Sequence, residues 1–443
     1  MKVYMKNKWC IILVLGVMLV LSVILFTGCK REEPVSIKKA YINDNGELIL
    51  CYSDGDEDNL GMVVGADGKD GADGKDGVDG KDGVDGEDAV ITVSNQGSSI
   101  AYATAKGLRS AVSIFCNTDE DLPWNLYSSG SGVIYKLDKE AGDAFIITNY
   151  HVVHNVDNPT ENKISDDINV YLYGSELSDL VIKAEYVGGS GYYDIAVLRI
   201  DDSEILKNSD VVEAEFADSD KLLIGEPAIA VGNPRGMGIA SSYGVVSVDS
   251  EQITLDVDDD EEQDTVRVVR VDTAVNPGNS GGGLYNENGE LIGIVNAKII
   301  DSSVEGIGYA IPSNVAAAVA DNIIDNCWQK DCESVQRCMM GIMITIKNSR
   351  AEYNSETGHA YIKEDVTVHE ILENSMVKGI VEVGDIIKSI SVGDKTLEIS
   401  RQYQVVDFML NVRVGDVVKL TLIREGQSIT KDIEITEAHV TAY

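Results

Sequence analysis

Residues 276–283 read Asn276-Pro-Gly-Asn-Ser-Gly-Gly-Gly283, a glycine-crowded turn around a single serine. A serine hydroxyl is a poor nucleophile unless a base takes its proton and backbone N–H groups receive the charge that develops on the attacked carbonyl. Gly278 permits a turn in which its own N–H and that of Ser280 point into one hollow, while Gly281 and Gly282 clear bulk beside the attacking oxygen. The same residues would also suit an ordinary tight turn between two strands. What the segment does therefore depends on whether a base and an acid lie elsewhere in the chain.

Of the five histidines, His151 and His154 are the two between residue 100 and the serine. His151 sits in Phe145-Ile-Ile-Thr-Asn-Tyr-His-Val-Val153, at the rim where an apolar strand gives way to the next element. His154 reads better as a solvated or helix-start residue. Asp194 opens Asp194-Ile-Ala-Val-Leu-Arg-Ile200, apolar enough for a buried strand, and follows the glycine-rich stretch Gly188–Gly191. A carboxylate there could hold the imidazole in one tautomer and stabilise it once charged. An aspartate that merely ends a turn is common. The order histidine, aspartate, serine is nevertheless that of chymotrypsin-type double barrels.

Several segments carry a family resemblance in order: Gly130-Ser-Gly-Val-Ile134, Thr148-Asn-Tyr-His-Val-Val153, Asp194-Ile-Ala-Val-Leu198, Ala230-Val-Gly-Asn-Pro234 and Gly244-Val-Val-Ser247. They continue with Asn276-Pro-Gly-Asn-Ser-Gly-Gly282, Gly289-Glu-Leu-Ile-Gly293 and Gly306-Ile-Gly-Tyr-Ala-Ile-Pro312. Residues 108–326 thus resemble the protease domain of the HtrA/DegP serine endoproteases. The resemblance implies a mainly β chain with a chymotrypsin-like double β-barrel protease domain. Residue by residue it implies His151 as general base, Asp194 as its orienting partner, Ser280 as nucleophile, and the N–H groups of Gly278 and Ser280 as the oxyanion hole. It also implies a small apolar specificity pocket at Asn296-Ala-Lys-Ile-Ile300, with Ala297 and Ile299 as substrate-binding residues and cleavage after small aliphatic residues. Unfolded or misfolded proteins are the implied substrates, a homotrimer the implied assembly, and no cofactor is called for. Two features depart from the family pattern: Gly189-Ser-Gly-Tyr-Tyr193 before the aspartate, and an acidic run from Asp256 to Asp264 that reads as a solvated loop.

Residues 335–437 alternate short β-prone runs with glycine turns and resemble a PDZ domain. The matching runs include Gly341-Ile-Met-Ile344, Val383-Gly-Asp-Ile-Ile-Lys-Ser-Ile390, Val414-Gly-Asp-Val-Val-Lys-Leu-Thr-Leu422 and Arg424-Glu-Gly426. Such domains add an extended peptide to a sheet edge and hold its terminal carboxylate on backbone N–H groups, which would place Gly341 and Ile342 in the peptide groove. Asn374-Ser-Met-Val-Lys-Gly379 departs from the usual Ser-Pro-Ala start, and residues 345–365 are long and polar. The alternative is a small β domain that only packs on the protease.

The N-terminus specifies location. Lys2, Lys6 and Lys8 precede an apolar run from Trp9 to Phe26, followed by Thr27-Gly28-Cys29. Residues 1–28 read as an export signal or membrane anchor. Small residues before a cysteine resemble a bacterial lipoprotein box, implying lipid on Cys29 and a protease outside the cytoplasmic membrane. An unprocessed apolar span is the alternative. Residues 30–64 carry a small hairpin expected around Asn45-Gly46. From Gly65 to Asp88 glycine recurs at every third position for eight triplets, collagen's period, without proline. Three chains brought together would suit a triple helix reaching roughly 75 Å at about 3.1 Å per residue. A flexible acidic spacer is the competing reading, and residues 89–107 complete the linker.

A net charge of −38 over 443 residues argues against nucleic acid, whose phosphates would be repelled. Outside the leader and Cys29 stand five cysteines, Cys51, Cys116, Cys327, Cys332 and Cys338, an odd number that leaves at least one thiol unpaired within a chain. Disulfides among the last three are permitted by export. Their spacing lacks the paired Cys-x-x-Cys pattern of a metal site. The competing functional class is a catalytically silent peptide-binding scaffold or holdase carried on a trimeric stalk.

Overall fold

Strands dominate because the chain repeatedly alternates β-branched residues with small or polar ones, and closes many of these runs with a glycine or asparagine turn. The computed structural model describes residues 37–43, 47–53, 55–62, 99–117, 126–155, 158, 160, 162–176, 179–255, 264–297, 306–328, 335–355 and 358–442. The apolar run 9–26, Cys29, the glycine triplets, Asn45-Gly46, residues 256–263, Ile299 and Cys332 lie outside the described residues.

The N-terminal unit contains an antiparallel sheet of β1 (Ile37–Ile42), β2 (Glu47–Tyr52) and β3 (Glu57–Met62), in the order β1-β2-β3. Ile42 pairs with Leu48 across the hairpin expected from the sequence, and the third strand extends it.

From residue 92 onward the chain forms a second unit. Helix α1 (Ser99–Ser110) leads into a closed barrel of β4 (Ala111–Asn117), β5 (Leu126–Asp138), β6 (Asp143–Thr148), β7 (Asp167–Leu172), β8 (Ile182–Ser190) and β9 (Ile195–Ile200). A second closed barrel follows: β10 (Pro227–Gly232), β11 (Ala240–Leu255), β12 (Asp264–Val271), β13 (Gly283–Tyr285), β14 (Leu291–Asn296) and β15 (Gly308–Pro312). The mainly β, double-barrel fold expected from the motifs is the fold observed.

Period-two alternation divides β9 between two cores. Ala196, Leu198 and Ile200 fill the first barrel with Ile114, Ile134 and Ile146. Ile195 and Val197 face the other way, into a cluster with Ile229, Val231, Tyr285 and Val319 that cements barrel to barrel. A strand buried on both faces must be largely apolar, and the charged residue within it, Arg199, is only partly buried and paired with Asp143, while Asp194 stands just before it. Helix α2 (Tyr150–Val153) is a single turn after β6, whereas α3 (Ser313–Cys327) covers the junction with Val315, Ala316 and Ile323.

The C-terminal β domain contains a sheet ordered β17-β18-β19-β21-β22, built from β17 (Ile342–Asn354), β18 (His359–Ile371), β19 (Ile386–Val392), β21 (Val417–Arg424) and β22 (Gln427–Glu434). Strand β20 (Lys395–Glu398) pairs with β19, while β16 (Gln336–Cys338) pairs with β23 (Val440–Ala442). Helix α4 (Gln402–Met409) covers a core that includes Val366, Ile390 and Leu420. This architecture is consistent with a PDZ domain. Within the polar stretch 345–365, residues 345–354 and 359–365 pair at the far end of β17 and β18. The domain seats against the second barrel: Arg267 on β12, buried, binds Asp407 of α4, lies 2.8 Å from Asp220 and stacks 3.5 Å from the Tyr403 ring centroid. Among the described residues, Cys51, Cys116 and Cys338 are free thiols.

Candidate active site

Strand β6 ends at Thr148, and Asn149 precedes the α2 turn that carries His151. The turn 191–194 between β8 and β9 carries Asp194 at φ +49°, a left-handed conformation that aspartate tolerates better than most residues. Its backbone is secured twice. Asp194 N donates to Gly191 O at 3.0 Å, and Asn149 Nδ2 donates to Asp194 O at 2.8 Å. The side chain is only 1% exposed, so its carboxylate must be satisfied by protein donors. Three serve it: His151 N at 3.0 Å, His151 Nδ1 at 2.7 Å and Asn296 Nδ2 at 2.6 Å. An ionised carboxylate accepts only, so the proton on Nδ1 belongs to this bond and Nε2 is left as the basic nitrogen.

Ser280 lies in the turn between β12 and β13. Asn279 N closes onto Asn276 O at 2.9 Å, and Ser131 brackets the segment by donating its Oγ–H to Gly278 O at 2.7 Å and its N–H to Ser280 O at 2.8 Å. Two glycines are obligatory. Gly278 has φ +97°, and a Cβ there would overlap Asn233 O. Gly281 has φ +83°, and its Cβ would overlap Ser131 O and Thr148 Oγ1. Pro277 O accepts from Arg235 N at 2.9 Å. A trans peptide sets carbonyl and N–H on opposite sides, so this bond turns the Gly278 N–H away from Arg235. Among the described residues, the N–H groups of Gly278 and Ser280 meet no backbone acceptor.

Consecutive residues at the end of β14 connect the two halves. Asn296 reaches the Asp194 carboxylate, and Ala297 N donates to Ser280 Oγ at 3.1 Å. That bond occupies a lone pair of the hydroxyl and leaves its proton available. Asn296 escaped the sequence reading, which placed it only in a pocket-lining run. Its signal was a single amide ending the apolar strand Leu291-Ile-Gly-Ile-Val-Asn296.

The other expected residues fall as follows. His154 ends α2 rather than starting a helix, stacks on Tyr150 with ring centroids 4.9 Å apart and bridges to Ile164, so it is half-buried in the first barrel. Ala297 is buried beside Ser280, whereas Ile299 lies outside the described residues. Gly341 and Ile342 belong to the C-terminal domain at the start of the sheet's end strand, β17.

Residues 130–294 match the trypsin-like peptidase domain model. The chain is 34% identical over 322 residues to the serine protease Do-like HtrA of Lactococcus lactis subsp. lactis (strain IL1403), spanning 71% of this chain and 72% of the relative. The chain belongs to the HtrA family of serine proteases. Its likeness extends to the HtrA of Bacillus subtilis (strain 168), 30% identical over 352 residues with 78% and 72% covered. The solved structure of the HtrA-type protease AlgW with a decapeptide superposes with a TM-score of 0.48 at 24% identity, covering 78% of this chain and 98% of that one. The HtrA membership implied by the motifs is borne out by the curated relatives.

Proposed function

We propose that this HtrA protease hydrolyses peptide bonds of unfolded or damaged proteins through an acyl-enzyme on Ser280. The supporting observation is the pair Asn296 and Ala297, which holds the Asp194 carboxylate and the Ser280 hydroxyl from adjacent positions. In this reading Ser280 Oγ attacks the carbonyl as His151 Nε2 takes its proton. Asp194 keeps the other imidazole proton on Nδ1 and stabilises the imidazolium. The Gly278 and Ser280 N–H groups receive the oxyanion. His151 then protonates the leaving amine, and water clears the ester by the same route in reverse. A side chain seated beside Ala297 would be small and aliphatic, with Ile299 completing that subsite.

The C-terminal domain, read as a PDZ domain over residues 335–437, would take peptide C-termini along β17. That strand ends the sheet, α4 lies beside it through a 3.4 Å bond from Gln402 Nε2 to Ile344 O, and Gly341 and Ile342 would receive the carboxylate. The leader, lipidated at Cys29, would hold the enzyme outside the cytoplasmic membrane on a spacer of glycine triplets, with three copies assembling as a homotrimer. Among the described residues no helix is long and apolar enough to cross a membrane. Digestion of a reduced, alkylated protein by the full chain tests the catalytic reading: Ser280→Ala should lower turnover by a factor on the order of 10⁶. Cleavage by that variant at the wild-type rate would refute the role of Ser280, whereas no cleavage by the wild type would favour the scaffold.

A further inference from the structure

The turn that presents Asp194 contains a residue pair that the mechanism above does not use, Tyr192 and Tyr193. Tyr193 is buried in the cluster joining the two barrels and packs edge-to-face on Tyr192, with ring centroids 4.7 Å apart. The Tyr192 hydroxyl donates to Thr265 O at 3.1 Å. Thr265 lies on β12, the strand of the second barrel that runs into the Ser280 turn. Arg337, on the segment entering the C-terminal domain, stands 5.7 Å from the Tyr192 ring centroid, within cation–π range.

We propose that Tyr192 is a positioning residue for the Asp194–His151 pair, fastening the acid's turn to the barrel that carries the nucleophile. The inference rests on Asp194 being the acid of the triad. A non-glycine residue at φ +49° persists only where its surroundings hold it there. The bonds from Gly191 and Asn149 secure the turn within the first barrel, where Ser131 also holds the Ser280 segment, and from the second barrel the Asn296 amide meets the Asp194 carboxylate itself at 2.6 Å. The Tyr192 hydroxyl supplies a tie across the seam, two residues from the carboxylate, and Arg337 braces the ring that carries it. The contacts of Tyr192 with Thr265, Tyr193 and Arg337 place it beside the turn, so it acts through Asp194.

The test uses the full chain, with wild type, Tyr192→Phe, Arg337→Ala and, as a control, Tyr353→Phe on the exposed β17–β18 arm. Removing the hydroxyl should lower kcat about fivefold, the equivalent of one neutral hydrogen bond, with KM unchanged. Arg337→Ala should act in the same direction by about two- to fivefold, the span of a surface cation–π contact. The far-downfield proton NMR signal of His151 Nδ1 should be present in wild type and control, and weakened in Tyr192→Phe at equal melting temperature. Wild-type kcat with an unaltered downfield proton in both variants would overturn the positioning role while leaving the triad intact. A wild type with neither turnover nor that proton would overturn the triad itself, and this inference with it.

Discussion

Asp194 holds His151 at two points, its Oδ2 on the imidazole Nδ1 at 2.7 Å and its Oδ1 on the main-chain N of the same residue at 3.0 Å. Together the two contacts fix the ring plane relative to the backbone that carries it, so the imidazole cannot swing away without breaking the carboxylate's own coordination. Burial makes the arrangement obligatory, because a carboxylate excluded from water and deprived of these donors would be strongly destabilised.

Asn296 supplies the third donor to that carboxylate, at 2.6 Å. A hydrogen bond to a charged group contributes about 1.5–3 kcal/mol, so Asn296→Ala should lower kcat/KM by about 10- to 100-fold. Steady-state kinetics on a peptide substrate would check this, with Asn296→Ser expected to recover part of the loss through its shorter hydroxyl.

Gly281→Ala should abolish activity and lower the melting temperature. The residue stands at φ +83°, and a methyl group there would overlap Ser131 O and Thr148 Oγ1, which belong to the first barrel. The two barrels would have to separate locally to admit it, at a cost of about 1–3 kcal/mol for overpacking and more for the backbone conformation. Circular dichroism melting and turnover should fall together.

The seam between the protease and its C-terminal domain should strengthen at acid pH. Burial pushes the Asp407 carboxyl up to about 6, against the opposing pull of Arg267. A carboxyl raised above its unfolded value of about 3.9 contributes stability that is full below that value and is lost as pH rises through the folded one. Wild type should therefore lose stability relative to Asp407→Asn between about pH 4 and about 6. Paired thermal melts across that range would check the sign.

Within the C-terminal domain the opposite linkage operates. Burial of Asp385 favours its neutral form, but the Arg424 fork, at 2.8 and 2.7 Å, and the Glu382 N–H more than offset it, holding the carboxyl below its usual range. This contribution is present above the unfolded pKa and lost as pH falls through the folded one. Arg424→Met should leave Asp385 buried without its fork and lower the domain's melting temperature by several degrees at neutral pH, with the deficit shrinking only as the pH falls below the lowered folded pKa of the wild-type carboxyl, where it is neutral in either variant. Differential scanning calorimetry resolves the effect.

Much of this was legible in the sequence because the chemistry demands residues that few other pressures place together. Glycines at 278 and 281 are forced by positive φ and by neighbours that leave no space for a Cβ, so the serine turn declares itself in any homologous fold. The apolar run Ile195–Ile200 likewise announces a strand buried on both faces, with Asp194 at its edge. Asn296 was not legible as a partner of Asp194, because their contact spans 102 positions and no local periodicity records it. The Arg267–Asp407 clamp was hidden for the same reason: an arginine on a strand and an aspartate on a helix look solvated until the two domains meet.

The most direct test of the central claim is covalent labelling of the full chain with a fluorophosphonate, followed by peptide mapping of the adduct. The account predicts a single adduct on the Ser280 hydroxyl, and a labelling rate for Asp194→Asn lower by a factor on the order of 10⁴, as expected when the imidazole is held in the wrong tautomer. Labelling of another residue, or equal rates for wild type and Asp194→Asn, would contradict it.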